Sequence, residues 1–139
     1  MTARKELVSG LAAVPLFSAC SKRDLQIVAR HAAMVEVPAG TAVVEEAARG
    51  DAFFFILAGE AVVRRRGRKV ATLGPGRFFG ELALLDPAVR DATVTATTPM
   101  EIIVLTQWEF EEALDESPNM TRALLAGMAR RLRHLDEQP

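Results

Sequence analysis

Apolar residues change their spacing twice along this chain. From Arg4 to Ala13, Leu7, Val8 and Leu11 recur at helical steps, which places them on one face. Pro15 disfavours helix at Val14, so this first helix stops at Ala13 and Val14 to Phe17 makes a short turn. Ser21 then stands as an N-cap with Asp24 placed to support the first turn, and Leu25, Ile27, Val28 and Ala32 form the buried stripe of a second helix. His31, near its end, is placed to meet terminal carbonyl groups.

From Met34 to Leu105 the signals are those of strands. Val35 and Val37 alternate with Glu36, Pro38-Ala39-Gly40 turns the chain into Thr41 to Val44, and Arg49-Gly50-Asp51 marks the next loop. Ala52 to Leu57 is apolar throughout, the pattern of a strand buried on both faces or at a tight barrel seam. Gly59 breaks it. Ala61 to Arg66 and Val70 to Leu73 are the arms of a hairpin with Gly67 at its tip, and Leu73-Gly74-Pro75-Gly76 is another turn. Ala92, Val94 and Ala96 alternate with Thr93, Thr95 and Thr97, and Met100 to Leu105 is the last strand. Short strands at intervals of about eight to twelve residues, joined by Gly and Pro turns, predict a closed antiparallel sandwich or barrel. A jelly-roll-like β-barrel would remove exposed edges, in a mainly β protein with flanking α-helices.

The helical period then returns. Thr106 is a cap with Glu109 three positions later, and Trp108, Phe110 and Leu114 form the inward side of that helix. Ser117-Pro118 opens a second one. Met120, Leu124, Leu125, Met128, Leu132 and Leu135 recur at three- and four-residue steps, with Arg130, Arg133 and Glu137 on the opposite face.

Bulk properties narrow the function. A chain of 139 residues, half of them apolar, fits a single globular domain over residues 1–139 with a real core. Within it, residues 1–33 are a helical lead-in, 34–105 the barrel and 106–137 the C-terminal helices. A net charge of −1 argues against broad affinity for nucleic acid, which needs clustered positive charge. The one basic cluster, Arg64 to Arg66 with Arg68 and Lys69, reads as a solvated hairpin tip, because no recognition motif accompanies it. The single cysteine, Cys20, excludes an intramolecular disulfide, leaves the cytoplasm as the easier compartment, and reads as a partly buried core residue. No apolar run reaches the roughly eighteen residues of a membrane span, and no signal-peptide core follows the charged N-terminus. Two histidines without metal-ligand spacing, and Ser and Cys residues without a convincing base, exclude a metal enzyme or a nucleophilic one. The chain reads as a binding module, not an enzyme.

The candidate chemistry lies between Gly76 and Thr97, in the run G-R-F-F-G-E-L-A-L-L-D-P-A-V-R-D-A-T-V-T-A-T. Gly80 has no Cβ and lets the backbone approach a ligand closely. Glu81 to Leu85 are helix formers in a run too short to be stable alone, so they predict one turn whose first amides are unsatisfied and attract phosphate. Arg90 brings a planar fork suited to paired phosphate oxygens. Glu81 can accept from a sugar hydroxyl.

F-G-E-L-A-L-L followed by R-x-A-T-V-x-A resembles the phosphate-binding cassette of the cyclic nucleotide-binding domain family, here over residues 79–93. V-P-L-F-S-x-x-S-x-x-D-L resembles the helical lead-in of the same family. The resemblance implies a double-stranded β-helix with N-terminal helices and two C-terminal ones, no prosthetic group, and a cyclic nucleotide, cyclic AMP before cyclic GMP, as regulatory ligand. It implies ligand contacts from Gly80, Glu81, Leu82, Ala83, Arg90, Asp91 and Thr93: the ribose 2′-hydroxyl on Gly80 and Glu81, the cyclic phosphate on Arg90 and the amides near Leu82 and Ala83. Val63 and Val70 either line that pocket or pack the core. It also implies that the last helix closes over the base, with Arg131 or His134 as caps, or pairs with a second subunit or an effector.

One position departs from the family pattern. Asp91 stands where a small Ala, Ser or Thr is usual. A carboxylate about 5 Å from a phosphate, at an effective dielectric of about 20, repels it by roughly 3 kcal/mol. Asp91 either pairs with Arg90 and competes with the ligand, or turns to solvent and offers only its amide. In the first case the domain is degenerate and serves as an interaction or dimerisation module. The sequence ends at Pro139, too soon after the last helix for a helix-turn-helix, so both a stand-alone sensor and one domain of a longer protein stay open, and direct nucleic-acid binding by this chain is not expected.

Overall fold

The computed structural model describes residues 2–136. They divide into two compact units: one holds the residues up to His31 and those from Trp108 onward, and the other is Ala32–Gln107.

In the helical unit, α1 (Thr2–Ala13) leads through a 3-10 turn at Pro15–Phe17 to α2 (Lys22–His31). The capping box predicted at Ser21 is present. The Asp24 amide donates to Ser21 Oγ (3.1 Å) and the Ser21 amide donates to Asp24 Oδ2 (3.3 Å), which satisfies two donors at the helix start. Leu7, Leu11, Val14, Leu16, Phe17, Leu25 and Val28 are fully or almost fully buried.

In the β unit, β1 (Ala33–Val37), β2 (Ala42–Val44), β3 (Arg49–Gly50), β4 (Ala52–Ala58), β5 (Ala61–Arg65), β6 (Arg68–Leu73), β7 (Phe78–Phe79), β8 (Ala88–Val89), β9 (Thr93–Ala96) and β10 (Met100–Thr106) follow in chain order. They form two four-stranded sheets, β1-β10-β4-β7 and β2-β9-β5-β6, and a two-stranded ribbon, β3-β8, with every pairing antiparallel. The architecture is jelly-roll-like, as the strand spacing predicts, but open: no ladder joins one four-stranded sheet to the other.

The core between the sheets takes alternate residues of each strand. Phe54 and Ile56 of β4, Met100 and Ile102 of β10, Ala61 of β5, Leu73 of β6, and Val94 and Ala96 of β9 form one buried cluster, as a two-residue period requires. Phe53 and Phe55 point to the other face and are buried too, so β4 is the doubly covered strand that its apolar run predicts. The hairpin between β5 and β6 turns on Arg66 and Gly67, both at positive φ, with Arg65 opposite Arg68. That is the two-residue turn expected of a tight hairpin. Val70 is half exposed, so it does not pack the core.

The C-terminal helices of the helical unit are α3 (Gln107–Glu116) and α4 (Met120–Asp136). Three expectations fail here. Trp108 is 72% exposed while Phe110 and Ala113 are buried, because residues two apart lie on nearly opposite sides of a helix. Phe110 instead meets Phe17 edge-on, with ring centroids 6.0 Å apart. Ser117 and Pro118 lie in a turn ahead of α4, which begins at Met120, and Ser117 Oγ donates to Asp24 Oδ1 (2.6 Å). The buried stripe of α4 comprises Met120, Leu124 and Gly127. Leu125, Leu132 and Leu135 are exposed, and every described residue from Arg130 onward faces solvent. Glu137, placed by its period on the wet face, lies outside the described residues.

Gly127 has a specific use. A Cβ there would meet the Leu16 carbonyl oxygen at 2.5 Å, so the glycine admits the Pro15–Phe17 turn against α4. His31 does not serve carbonyl groups as expected. Its Nε2 pairs with Glu116 Oε2, its Nδ1 lies 4.0 Å from Glu112, and Arg30 reaches Glu116 at 3.3 Å. A charged partner on α3 replaces the helix end.

Candidate functional site

Gly80 starts the site. It adopts φ +84 and ψ 13, the left-handed conformation, and precedes a 3-10 turn over Glu81–Leu84. The Ala83 amide donates to the Gly80 carbonyl (3.1 Å) and those of Leu85 and Asp86 donate to that of Leu82. The predicted turn is therefore present. The Ala83 amide is spent in closing it, so the amides that precede the turn's own bonding are those of Glu81 and Leu82. Ala83 and Leu84 are buried, Leu82 is exposed and Glu81 is half-buried.

Arg90 is held by backbone on both sides of its Cα. Its N–H donates to the Ala48 carbonyl and its carbonyl accepts from the Ala47 amide, both at 2.8 Å, continuing the ribbon in which Gly50 faces Ala88. The guanidinium folds inward. Nη2 donates to the Ala52 carbonyl (2.7 Å), Cζ lies 5.7 Å from the centre of the Phe54 ring, and that ring stacks on Phe79 at 4.9 Å. Two glycines make the room. A Cβ on Gly50 would fall within the guanidinium itself, and one on Gly80 would lie 2.7 Å from Nη1 and 2.6 Å from the Ala52 oxygen. The Arg90 side chain therefore lies against the Gly80 turn, where the sequence places it.

The electrostatics of this cradle are unsatisfied. Arg90 Nε is buried with no hydrogen-bond partner. Burial lowers the guanidinium's pKa, and the carboxylates of Asp51 and Asp91 pull it back up without restoring it. A guanidinium stays charged under such a shift. A fixed, partly desolvated cation beside the Glu81–Leu84 turn has the charge and geometry suited to a small anion.

Asp91 takes neither Arg90 nor empty solvent alone. Its side chain is 85% exposed and its Oδ2 lies 3.5 Å from Arg65 Nη2, while Arg65 Nε donates to the Asp91 carbonyl at 3.2 Å. Thr93 opens β9, and its Oγ1 accepts the Glu46 amide at 2.9 Å. Thus Gly80 and Arg90 are brought together directly, with Glu81 and Leu82 on the adjoining turn, while Asp91 and Thr93 face contacts of their own.

Sequence reasoning missed Gly50, Ala52, Phe54 and Arg65. Arg49-Gly50-Asp51 was legible only as a loop, although a glycine beside an aspartate ahead of an apolar strand was the available signal. Nothing local marks Ala52, whose backbone oxygen does the work. Among the described residues no cluster of His, Cys, Asp and Glu is arranged to hold a metal, and no helix is long and apolar enough to cross a membrane.

An arginine folded against a glycine-led turn on a jelly-roll sheet pair is the arrangement that comparison with known proteins places in a family. The model of the cyclic nucleotide-binding domain matches residues 34–117. The chain belongs to the cyclic nucleotide-binding domain family. It is 38% identical over 114 residues to a cAMP-dependent protein kinase regulatory subunit of Yarrowia lipolytica, an alignment covering 80% of this chain and 30% of that one. Its structure is similar to the N-terminal domain of a transcriptional regulator from Streptomyces coelicolor, with TM-score 0.83 and 29% identity over 94% of this chain and 97% of that one. It is also similar to the regulatory domain of Toxoplasma gondii PKA solved with cAMP, with TM-score 0.72 and 29% identity over 81% and 45% of the two chains. The chain spans about a third of the length of that kinase regulatory subunit and of most of the other curated relatives it matches.

Proposed function

We propose that this domain binds a cyclic nucleotide, cyclic AMP before cyclic GMP, and acts as a non-catalytic sensor or regulatory element. The observation that carries the reading is the Arg90 guanidinium, fixed beside Gly80 with a buried Nε that has no partner. A doubly esterified phosphate bears one negative charge and two free oxygens, which suits a planar fork. Arg90 and the Leu82 amide hold that phosphate, with Ala83 shaping the turn. Gly80 and Glu81 receive the ribose 2′-hydroxyl. The Asp91 amide and the Thr93 hydroxyl complete the rim. The order of preference rests on the relatives whose names and bound ligand are those of cyclic AMP.

Residues 1–139 act as one ligand-responsive domain in the cytoplasm, and ligand binding is relayed to α3 and α4, whose exposed Leu125, Leu132 and Leu135 offer a surface for a second copy or an effector. Such a relay requires the nucleotide to bind one arrangement more tightly than another. The opposing reading is a pocket silenced by Asp91, whose carboxylate faces Arg65 at 3.5 Å and also bears electrostatically on Arg90.

Calorimetric titration with cyclic AMP and cyclic GMP tests the proposal. Micromolar binding by the wild type that is lost in Arg90→Ala supports it. Binding by Asp91→Ala but not by the wild type establishes the silenced pocket.

A further inference from the structure

An acidic residue directly after the phosphate-binding arginine ought to repel the ligand, and the surroundings of Asp91 show what counters it. Arg65, the last residue of β5, grips residue 91 twice: Nε donates to the main-chain carbonyl at 3.2 Å and Nη2 faces Oδ2 at 3.5 Å. The grip is itself anchored. Glu46 accepts the Arg66 amide on Oε1 (2.8 Å) and donates its own amide to Thr93 Oγ1 (2.9 Å). Arg64, one residue before Arg65, lies opposite Thr93 in the sheet. The β2–β3 loop, the β5–β6 hairpin and the start of β9 therefore close a ring around residues 91 to 93, immediately after the Arg90 cradle.

We propose that Arg65 is a positioning and specificity-determining residue, which holds the Asp91 carboxylate outward and neutralises it so that the cradle accepts an anion. The proposal rests on the cyclic nucleotide reading above. It accounts for an acidic residue where a small one is usual, and it gives one cation of the basic hairpin a purpose beyond solvation. Arg65 does not touch the phosphate. It acts through Asp91, as a two-point contact that a lysine cannot reproduce.

The test is fluorescence anisotropy of a fluorescent cyclic AMP analogue with the full chain. Freeing a carboxylate near the phosphate weakens binding by up to about a hundredfold without solvent screening, so Arg65→Ala is expected to weaken it by about tenfold at this exposed position. Arg65→Lys falls between, and the loss in Arg65→Ala shrinks as salt is raised. The deciding variant is Arg65→Ala with Asp91→Ala, which should return to within about threefold of the wild type, because the penalty of a lost neighbour is relieved when its partner is removed too. A loss that persists in the double variant shows a merely structural role and overturns the proposal, as does unchanged affinity in Arg65→Ala. Binding by Asp91→Ala where the wild type is silent overturns it while sparing the pocket. If neither binds, the nucleotide reading itself falls and takes this one with it.

Discussion

The Gly80–Arg90 cassette and helix α4 both announce themselves in the sequence, one by an ordered run of distinct residue types and the other by apolar period alone. In the cassette, the glycine and the arginine singled out by their chemistry meet, with Arg90 Nη1 close enough to Gly80 to forbid a side chain there. In α4, residues with one shared pattern part company: Met120 and Leu124 are buried, whereas Leu125 is 67% and Leu132 60% exposed. A steric demand admits one solution. A hydrophobic period states only which residues prefer burial, and a helix as long as α4 runs past the surface that covers its first turns.

The sharpest way to break that comparison is at Gly80. Gly80→Val places a β-branched residue at φ +84 with a Cβ 2.6 Å from a backbone oxygen, and is expected to abolish nucleotide binding and to cost about 2–4 kcal/mol in urea unfolding. Gly50→Ala separates space from backbone strain, since Gly50 is not at positive φ and its Cβ would displace the Arg90 guanidinium. Binding should weaken by about ten- to a hundredfold in calorimetry, the loss of one well-placed charge-assisted contact. Retained affinity would show that the inward guanidinium is not the receptor.

On the helical side, Gly127→Ala gains about 1 kcal/mol of helix propensity but sets a Cβ against the Leu16 carbonyl. A net loss of about 1–2 kcal/mol in chemical denaturation is expected. Ser117→Ala removes the hydroxyl that donates to Asp24 and should cost about 1 kcal/mol by the same measurement. Leu132→Ser should change stability by less than about 0.5 kcal/mol, because the side chain is already in water. An effect on sedimentation or gel-filtration size, without one on unfolding, would identify α4 as an association surface.

Burial of Cys20 pushes its thiol pKa up to about 11, and the neighbouring Asp24 charge adds to the shift. The thiolate, the reactive form, is therefore disfavoured in the folded state. The folded chain should be alkylated by iodoacetamide at pH 8 far more slowly than the urea-unfolded chain, with the folded rate rising only as pH approaches the shifted value. Equal rates in the two states would place the thiol in open solvent.

Much of the fold is legible in short stretches of sequence. The Ser21–Asp24 capping box, the doubly buried β4, the Arg66-Gly67 hairpin and the turn after Gly80 all follow from residues no more than a few positions apart. Trp108 stands two positions from the buried Phe110, so one helix face does not hold both. No local pattern marks the partner of His31, because Glu116 lies 85 residues away.

What the sequence determined alone is therefore local: the Ser21–Asp24 cap, where strands alternate, the Gly67 hairpin tip, and the order of chemical groups in the cassette. Tertiary structure decided which of those groups are satisfied and by whom. Asp91 has Arg90 as its chain neighbour yet is gripped by Arg65, 26 positions earlier, because the pairing of β5 with β9 brings that side chain alongside. The Arg90 guanidinium folds inward onto the Ala52 carbonyl because a glycine 40 positions earlier in the β3–β8 ribbon leaves it room. Short-range sterics and capping are written in neighbouring residues. The partner of a charge is set by strand register, which no single segment contains.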